Sequence, residues 1–404
     1  MKYSKENFLI ENVRAEKIAK KFGTPCYCYS FNKLKDNINR FKKNFSSINP
    51  LICFAVKSNT NSKLLNEIKK FGLGADVVSV GELMKALKAG ISSKKIVFSG
   101  VGKTSEEIKY AISKDILLIN TESQSEIFEI ERIAKSLKKK VNIGIRLNPN
   151  TDAKTLSQIS TGKKENKFGV DEKKLIDLVA YVKSSKNLRL KCLSVHIGSQ
   201  ILNHKPYEKM LKVLDRVIKK CDHNFDYIDL GGGMGIDYEG VNKKLNLKKY
   251  AQAIQKFVKK YNSKIIFEPG RSIIGDTAVL LSKVIYIKKN SQKDFIILDA
   301  AMNDLMRPAL YGAKHRILPI KKLKQKANKS YEFVGPICES TDKFLNVNNF
   351  QKLNEKDIVI ICDVGAYGMS LSSNYNMRPK APEILIQGSK FKVINKRQKL
   401  KDLI

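Results

Sequence analysis

The chain has 404 residues, 42% of them hydrophobic and 28% charged. That is enough for one large domain or two ordinary ones with their own cores, and it excludes a mini-protein or a disordered tail. The net charge of +37 on its own suggests nucleic acid or an anionic membrane surface, but 65 of the 76 cations are lysines and only 11 are arginines. The lysines fall in scattered pairs such as Lys42-Lys43, Lys163-Lys164 and Lys321-Lys322, with no block of five or six like charges. They read as a solvated surface.

No apolar run approaches the ~18 residues of a membrane-spanning helix. The start, Met1-Lys2-Tyr3-Ser4-Lys5, lacks the apolar core of a secretion signal, so a soluble, cytoplasmic protein is expected. With seven cysteines, four histidines and no C-x-x-C, a zinc site is not expected. Cys26 and Cys28 lie two apart in a strand candidate at 26–30, which places them on one face, and most thiols should be reduced and buried.

From residue 51 short apolar runs alternate with helical patterns: 51–57, 75–79, 96–100, 116–120, 141–148, 190–198, 227–232 and 264–268. Between them Ile127, Ile130, Ala134 and Leu137 recur at helical spacing behind Ser123 and Glu126, and Thr104 with Glu107 forms the same capping signature. Eight buried parallel strands with eight crossovers point to an α/β protein with a (β/α)8 barrel, an open doubly wound sheet being the alternative. After about residue 276 strand-like runs follow without helical spacers, at 278–287, 294–299, 331–334, 357–363 and 383–387. The expected organisation is a barrel over 31–275 and a mostly β domain over 276–404 joined by residues 1–30.

Barrel enzymes carry their chemistry where strands end and loops begin. The first strand ends Phe54-Ala55-Val56-Lys57, and desolvation there would lower the lysine amine and favour carbonyl chemistry. The sixth ends His196-Ile197-Gly198-Ser199-Gln200. The seventh ends Asp229-Leu230-Gly231-Gly232-Gly233, a turn whose backbone N–H groups could cradle a phosphate. The eighth ends Glu268-Pro269-Gly270-Arg271. A lysine, a phosphate cradle, a stacking histidine and a carboxylate at one mouth are the parts of a pyridoxal phosphate site.

These motifs, with Gly74-Ala75-Asp76-Val77-Val78-Ser79, Lys167-Phe168-Gly169, Arg307-Pro308-Ala309-Leu310-Tyr311, Gly335-Pro336-Ile337-Cys338-Glu339-Ser340, Gly365-Ala366-Tyr367-Gly368 and Ser373-Asn374-Tyr375-Asn376, resemble the diaminopimelate decarboxylases, of the alanine-racemase-like class of pyridoxal-phosphate enzymes. Ser58 and Val80 stand where that family commonly has Ala and Gly. The resemblance implies a barrel plus a β domain, and decarboxylation of meso-2,6-diaminopimelate to L-lysine and carbon dioxide with pyridoxal 5'-phosphate. It implies that Lys57 holds the cofactor covalently and that Glu268 faces the pyridine nitrogen. His196 would stack on the ring, and Ser199, Gly232, Gly233, Pro269, Gly270, Arg271 and Tyr367 would line the cofactor, most of them at its phosphate. Arg271, Arg307 and Tyr311 would bind substrate carboxylate, for which the planar fork of Arg suits, with Tyr367 nearby. Glu339 would pair with the distal ammonium and Cys338 would return a proton. In this family those two residues reach the site from a neighbouring subunit, which implies a homodimer.

An ornithine- or lysine-type polyamine-pathway decarboxylase is the nearest alternative. It would need no arginine at the distal end of its substrate. A racemase would need a second base for which Cys338 is a poor candidate. A basic nucleic-acid-binding protein lacks basic blocks interleaved with aromatics, and a non-catalytic homologue is opposed by Lys57, Glu268 and Cys338 together. The long polar stretch 149–166 reads as a lid over bound substrate.

Overall fold

Strands β1 (Lys2–Ser4), β2 (Asn7–Ile10) and β3 (Val13–Arg14) form a small antiparallel sheet, followed by helix α1 (Ala15–Phe22), strand β4 (Cys26–Ser30) and helix α2 (Phe31–Asn44). The computed structural model describes residues 1–153, 155, 159–289, 293–323 and 328–404. The chain divides into two units. One is Asn39–Ile236 with Lys244–Ser272; the other is Met1–Ile38, Asp237–Lys243 and Ile273–Ile404.

The first unit is a closed barrel of β5 (Leu51–Ala55), β6 (Gly74–Val77), β7 (Ile96–Phe98), β8 (Leu118–Thr121), β9 (Val141–Leu147), β10 (Leu188–Val195), β11 (Tyr227–Asp229) and β12 (Lys264–Phe267). Every pairing is parallel, and β12 returns to β5 through Ile266 with Leu51 and Phe267 with Ile52, which removes the open-sheet alternative. Each expected run overlaps one barrel strand. These strands read as continuous apolar runs because a parallel sheet is covered on both faces; Cys53, Val97, Leu118, Cys192 and Ile266 fill one layer of the interior. Polar residues before the helices satisfy the orphan amides of the first turns: Asn61 before α3 (Ser62–Lys70), Ser79 before α4 (Val80–Lys88), Thr104 before α5 (Ser105–Ser113) and Ser123 before α6 (Gln124–Ser136). Thr104 and Glu107 close the reciprocal capping box. At Ser123 only half of it forms, because Glu126 turns away to accept from the Glu122 amide and to pair with Lys103. Three further helices, α7 (Glu172–Ser184), α8 (Lys205–Cys221) and α9 (Leu247–Val258), complete this unit. In it Phe45, Tyr250 and Phe267 pack edge to face or tilted, with ring centroids 4.6–6.1 Å apart.

The short helix α10 (Arg271–Ile274) leads into the second unit, which is mostly β: β13 (Ala278–Lys289), β14 (Asp294–Leu298), helix α11 (Arg307–Tyr311), β15 (Ile317–Pro319), β16 (Lys329–Val334), β17 (Lys343–Phe350), β18 (Ile358–Ile361), β19 (Glu383–Gln387) and β20 (Lys390–Asn395). β4 lies inside this sheet, antiparallel to β13 and parallel to β19, so the N-terminal segment is part of its core. Cys26 and Cys28 sit on one face, their sulfurs 3.9 Å apart, among Val279, Leu281, Ile360, Ile384 and Ile386. Strands β15, β17 and β20 are not apparent in the sequence. β17 and β20 alternate with exposed polar side chains, and β15 has only three residues. Residues Asp237–Lys243, inside the stretch expected to be barrel, belong to this unit because Tyr238 packs edge-on against His315, centroids 5.0 Å apart, under the Arg307 guanidinium.

Candidate active site

The C-terminal ends of the barrel strands carry a dense polar cluster. Lys57 sits in a single 3-10 turn, Val56–Ser58, directly after β5, and its Nζ lies 2.7 Å from Asp76 Oδ2 on β6. Asp76 is wholly buried, whereas the Lys57 side chain is 39% exposed. The lysine does not stand alone at the strand end: a buried carboxylate matches its charge. The other oxygen, Asp76 Oδ1, is buried without a hydrogen-bond partner among the described residues.

Beside it, Glu268 after β12 and Asp229 at the end of β11 are both buried and hydrogen-bonded to one another. Burial first, then repulsion from Asp229 and Asp76, pushes the Glu268 carboxyl well above the usual range; burial also raises Asp229. The pair therefore resists carrying two full charges. Ser99 Oγ donates to Glu268 Oε1 at 3.2 Å, and Asn120 Nδ2 donates to Asp229 Oδ2 at 2.8 Å and to Ser99 Oγ at 3.4 Å. The Gly231 amide closes onto Asp229 Oδ1 at 2.9 Å.

His196 follows β10, and its Nδ1 accepts from the Gly232 amide at 3.1 Å, which leaves the ring proton on Nε2. Burial first, and then the charges of Arg146 and Lys57, hold the imidazole well below its ordinary range, so it is neutral. Gly232 is required by close approach: a Cβ there would stand 2.1 Å from the Glu268 carbonyl oxygen. The turn is stitched further by Tyr207 Oη donating to the Gly232 carbonyl at 3.0 Å. Of the two glycines expected at the phosphate, Gly232 and Gly233, the first turns its amide onto His196, and the neighbouring Gly231 amide goes to Asp229. The remaining donors at this end include the Ser199 hydroxyl and Arg271, joined at 3.0 Å from Nη2 to Oγ, with Arg271 buried at the start of α10. Pro269 anchors its neighbour Gly270 by accepting from the Ala55 amide at 3.2 Å, and Gly270 lies against Ser58.

A second ion pair was not legible as part of the site. Arg146 at the end of β9 donates to Glu122 Oε1 at 2.7 Å, both nearly buried, and stacks over Phe168 at 4.8 Å. Glu122 Oε2 accepts from the Gly169 amide at 2.8 Å, which explains Lys167-Phe168-Gly169. Of the stretch 149–166, residues 154 and 156–158 lie outside the described residues; Ser160 bridges to Gly198, and Thr161 Oγ1 donates to the His196 carbonyl at 2.9 Å. The described part thus rests on the segment that carries His196 and Ser199.

The β unit holds the other candidates. Arg307, first residue of α11, is buried; its Nη1 donates to His315 Nε2 at 2.7 Å and its guanidinium lies 4.5 Å from the Tyr238 ring centre. Because arginine only donates, His315 uses its other nitrogen to donate to the Cys362 carbonyl at 2.8 Å. Tyr311 ends that helix, half-buried, and Tyr367 stands in a loop with φ +58°. Cys338 and Glu339 ride on an exposed loop shaped by Asp342, whose carboxylate accepts from the Met302 amide at 2.7 Å and the Ile337 amide at 2.8 Å. Gly335 is needed there, since a Cβ would meet Asp342 Oδ2 at 2.2 Å. Of the seven cysteines, all among the described residues, Cys338 alone is exposed.

The barrel region, residues 31–275, matches the family described as pyridoxal-dependent decarboxylase, pyridoxal binding domain. Diaminopimelate decarboxylase of Helicobacter pylori (strain J99) is 43% identical over 391 residues, covering 96% of each chain. That of Aquifex aeolicus (strain VF5) is 39% identical over 401 residues, covering 98% of this chain and 95% of the relative. The chain belongs to the diaminopimelate decarboxylase family. The crystal structure of the Helicobacter pylori decarboxylase complexed with L-lysine superimposes with a TM-score of 0.91 at 42% identity, covering 96% of this chain and 98% of that one. The lysine/ornithine decarboxylase of Vibrio vulnificus, at 19% identity and a TM-score of 0.79, shares the fold alone.

The residues of this decarboxylase fit pyridoxal phosphate on their own chemistry. Asp76, Asp229 and Glu268 are three buried acids facing one ammonium, so the cluster favours a cationic ring nitrogen beside it. His196 keeps its neutral ring at the same strand ends.

Proposed function

We propose that the chain decarboxylates meso-2,6-diaminopimelate to L-lysine, the last step of lysine biosynthesis, using pyridoxal phosphate. The observation that carries this reading is identity of about two residues in five along nearly the whole length of named diaminopimelate decarboxylases, together with Lys57 set against the Asp76, Asp229 and Glu268 acids. The cofactor, when bound, supplies a ring that accepts the electron pair left as carbon dioxide departs. Lys57 holds it, and its pairing with Asp76 fixes where the nitrogen stands. Glu268, braced by Asp229, Ser99 and Asn120, keeps a proton at the ring nitrogen. Neutral His196 packs on the ring face. Ser199, Gly233, Pro269, Gly270, Arg271 and Tyr367 bind the cofactor, chiefly at its phosphate, and Gly232 contributes by the close approach to Glu268 that its missing side chain permits.

In this reading Arg271, Arg307 and Tyr311 bind substrate carboxylate together with Tyr367, and Glu339 takes the distal ammonium. Cys338 gives its thiol proton to the carbon that has lost carbon dioxide. The two loop residues serve the site of a second copy, so the active species is a homodimer. No helix among the described residues is long and apolar enough to cross a membrane, which supports a cytoplasmic site of action.

The test is an absorbance spectrum of the purified protein and carbon dioxide release from diaminopimelate, ornithine, lysine and arginine. A yellow wild type beside a colourless Lys57→Ala protein, with release from diaminopimelate alone, is expected; release from ornithine but not diaminopimelate would overturn the assignment.

A further inference from the structure

One motif remains without a role in this account: Ser373-Asn374-Tyr375-Asn376. It forms a tight turn in the β unit, and two successive side chains of it meet the two successive residues of the exposed Cys338-Glu339 loop. Tyr375 Oη donates to Glu339 Oε1, and Asn376 Nδ2 donates to Cys338 Sγ at 3.5 Å. Thr341 Oγ1 holds the other Glu339 oxygen at 3.2 Å.

The turn is built to hold that presentation. Asn376 (φ +53°, ψ +32°) and Met377 (φ +53°) are both in the left-handed region, which asparagine adopts readily and which methionine adopts where surroundings impose it. The surroundings are specific. Asn374 Nδ2 donates to the Arg378 carbonyl at 2.9 Å and to Gln398 Oε1 at 2.6 Å, Ser373 is tied to the Asn303 carbonyl at 3.0 Å, and Arg378 Nη2 reaches the Asp299 carbonyl at 2.7 Å. Met377, 55% exposed, gains no burial from its left-handed backbone. The strained backbone at Met377 therefore goes with the turn that aims Tyr375 and Asn376.

We propose that Tyr375 and Asn376 are positioning residues that set the two substrate-facing groups of this loop, Asn376 tuning the proton-donating thiol and Tyr375 fixing the carboxylate that selects the distal ammonium. This rests on the roles given above to Cys338 and Glu339. When Cys338 acts, the S–H bond breaks, the electron pair on the substrate carbon takes the proton to form a C–H bond, and the negative charge is left on Sγ until water restores the proton. An amide N–H aimed at Sγ stabilises that charge. The Tyr375 and Thr341 hydroxyls, one on each oxygen of Glu339, hold its carboxylate in one rotamer.

The test reads the thiol directly. The other six cysteines are buried within the chain, so iodoacetamide labelling of the substrate-free holoenzyme at neutral pH, in which the small reagent enters by the substrate's own route, reports Cys338 thiolate reactivity apart from turnover when located by mass spectrometry. Asn376→Asp is isosteric, exposed and at home in the left-handed region, yet it puts a carboxylate where the amide donor was. Its labelling is expected to slow at least threefold, and kcat to fall with KM unchanged; labelling at the wild-type rate or faster overturns the role of Asn376. Tyr375→Phe is expected to raise KM for diaminopimelate roughly three- to tenfold with kcat within about twofold; an unchanged KM overturns the role of Tyr375. A Cys338→Ala protein that decarboxylates at full rate overturns the catalytic reading of the cysteine itself, while the labelling comparison still decides whether Asn376 governs the thiol.

Discussion

Replacing Gly232 by alanine is the sharpest probe of how the barrel end is assembled. The added Cβ would lie 2.1 Å from the Glu268 carbonyl oxygen, 3.0 Å from its carbonyl carbon and 3.6 Å from Pro269 Cα, all of them backbone or bound tightly to it. No side-chain rotation relieves this, so the turn after β11 and the end of β12 must part by about 1 Å to reach ordinary contact in an interior this closely packed. The displaced pieces are the ones that matter: the Gly232 amide that fixes the His196 tautomer, and the segment that starts at Glu268. Misplacement on the order of 1 Å costs roughly 100-fold where geometry governs function. Pyridoxal phosphate affinity, followed by titrating the apoenzyme and reading the visible absorbance of the bound cofactor, is expected to weaken by about that factor, with kcat falling as well. Gly102→Ala is the control, since a Cβ at Gly102 meets nothing within 4 Å and is expected to change stability by less than ~0.5 kcal/mol. A folded Gly232→Ala protein that binds the cofactor within threefold of wild type would refute the argument.

Three other outcomes are expected. Arg146→Met leaves Glu122 buried without its cation and should cost about 3–5 kcal/mol in urea unfolding, most of it recovered when Glu122→Gln is added; equal losses in the single and double variants would count against a buried pair. Asp342→Ala removes the acceptor for the Met302 and Ile337 amides and should destabilise by roughly 2–4 kcal/mol while loosening the Cys338-Glu339 loop, measured as faster amide exchange at 335–342. Burial pushes the Asp304 carboxyl up to about 7 from 3.8, so the native state keeps a proton that the unfolded chain releases. That contribution is complete below about pH 4 and is lost as pH rises through about 7, an effect of up to about 4 kcal/mol. Asp304→Asn should therefore flatten the stability profile between those limits, and parallel wild-type and variant profiles would disprove the assignment.

The barrel was legible because its strands are covered on both faces and so appear as unbroken apolar runs, ending in the polar residues of the candidate site. The edge strands were not, for the opposite reason. Lys343–Phe350 alternates buried and exposed positions with Asn346, Asn348 and Asn349 on or near the surface, a pattern that composition alone assigns to loop. Tyr238 and His315 were missed as partners of Arg307 because 77 positions separate the two rings in the chain, and one hydrogen bond to His315 and one cation–ring contact with Tyr238 are what join them to the guanidinium.

At Lys57 the sequence reading lacked the partner that the fold supplies. A lysine ending an apolar strand suggests desolvation, and that inference treats the strand as isolated. The register of β5 against β6 sets Ala55 beside Asp76, so the next strand delivers a buried carboxylate to the lysine that follows. The signal was present in Gly74-Ala75-Asp76-Val77, where an acid interrupts four buried residues and must therefore be paired or protonated. The same holds for Asp229, which ends three short strand residues and meets Glu268 from the strand beside it. Each acid alone has an ordinary explanation. Summed at one barrel end by strand register, three buried acids outnumber the one ammonium paired there. That surplus is the electrostatic form of a site that accepts a protonated ring nitrogen.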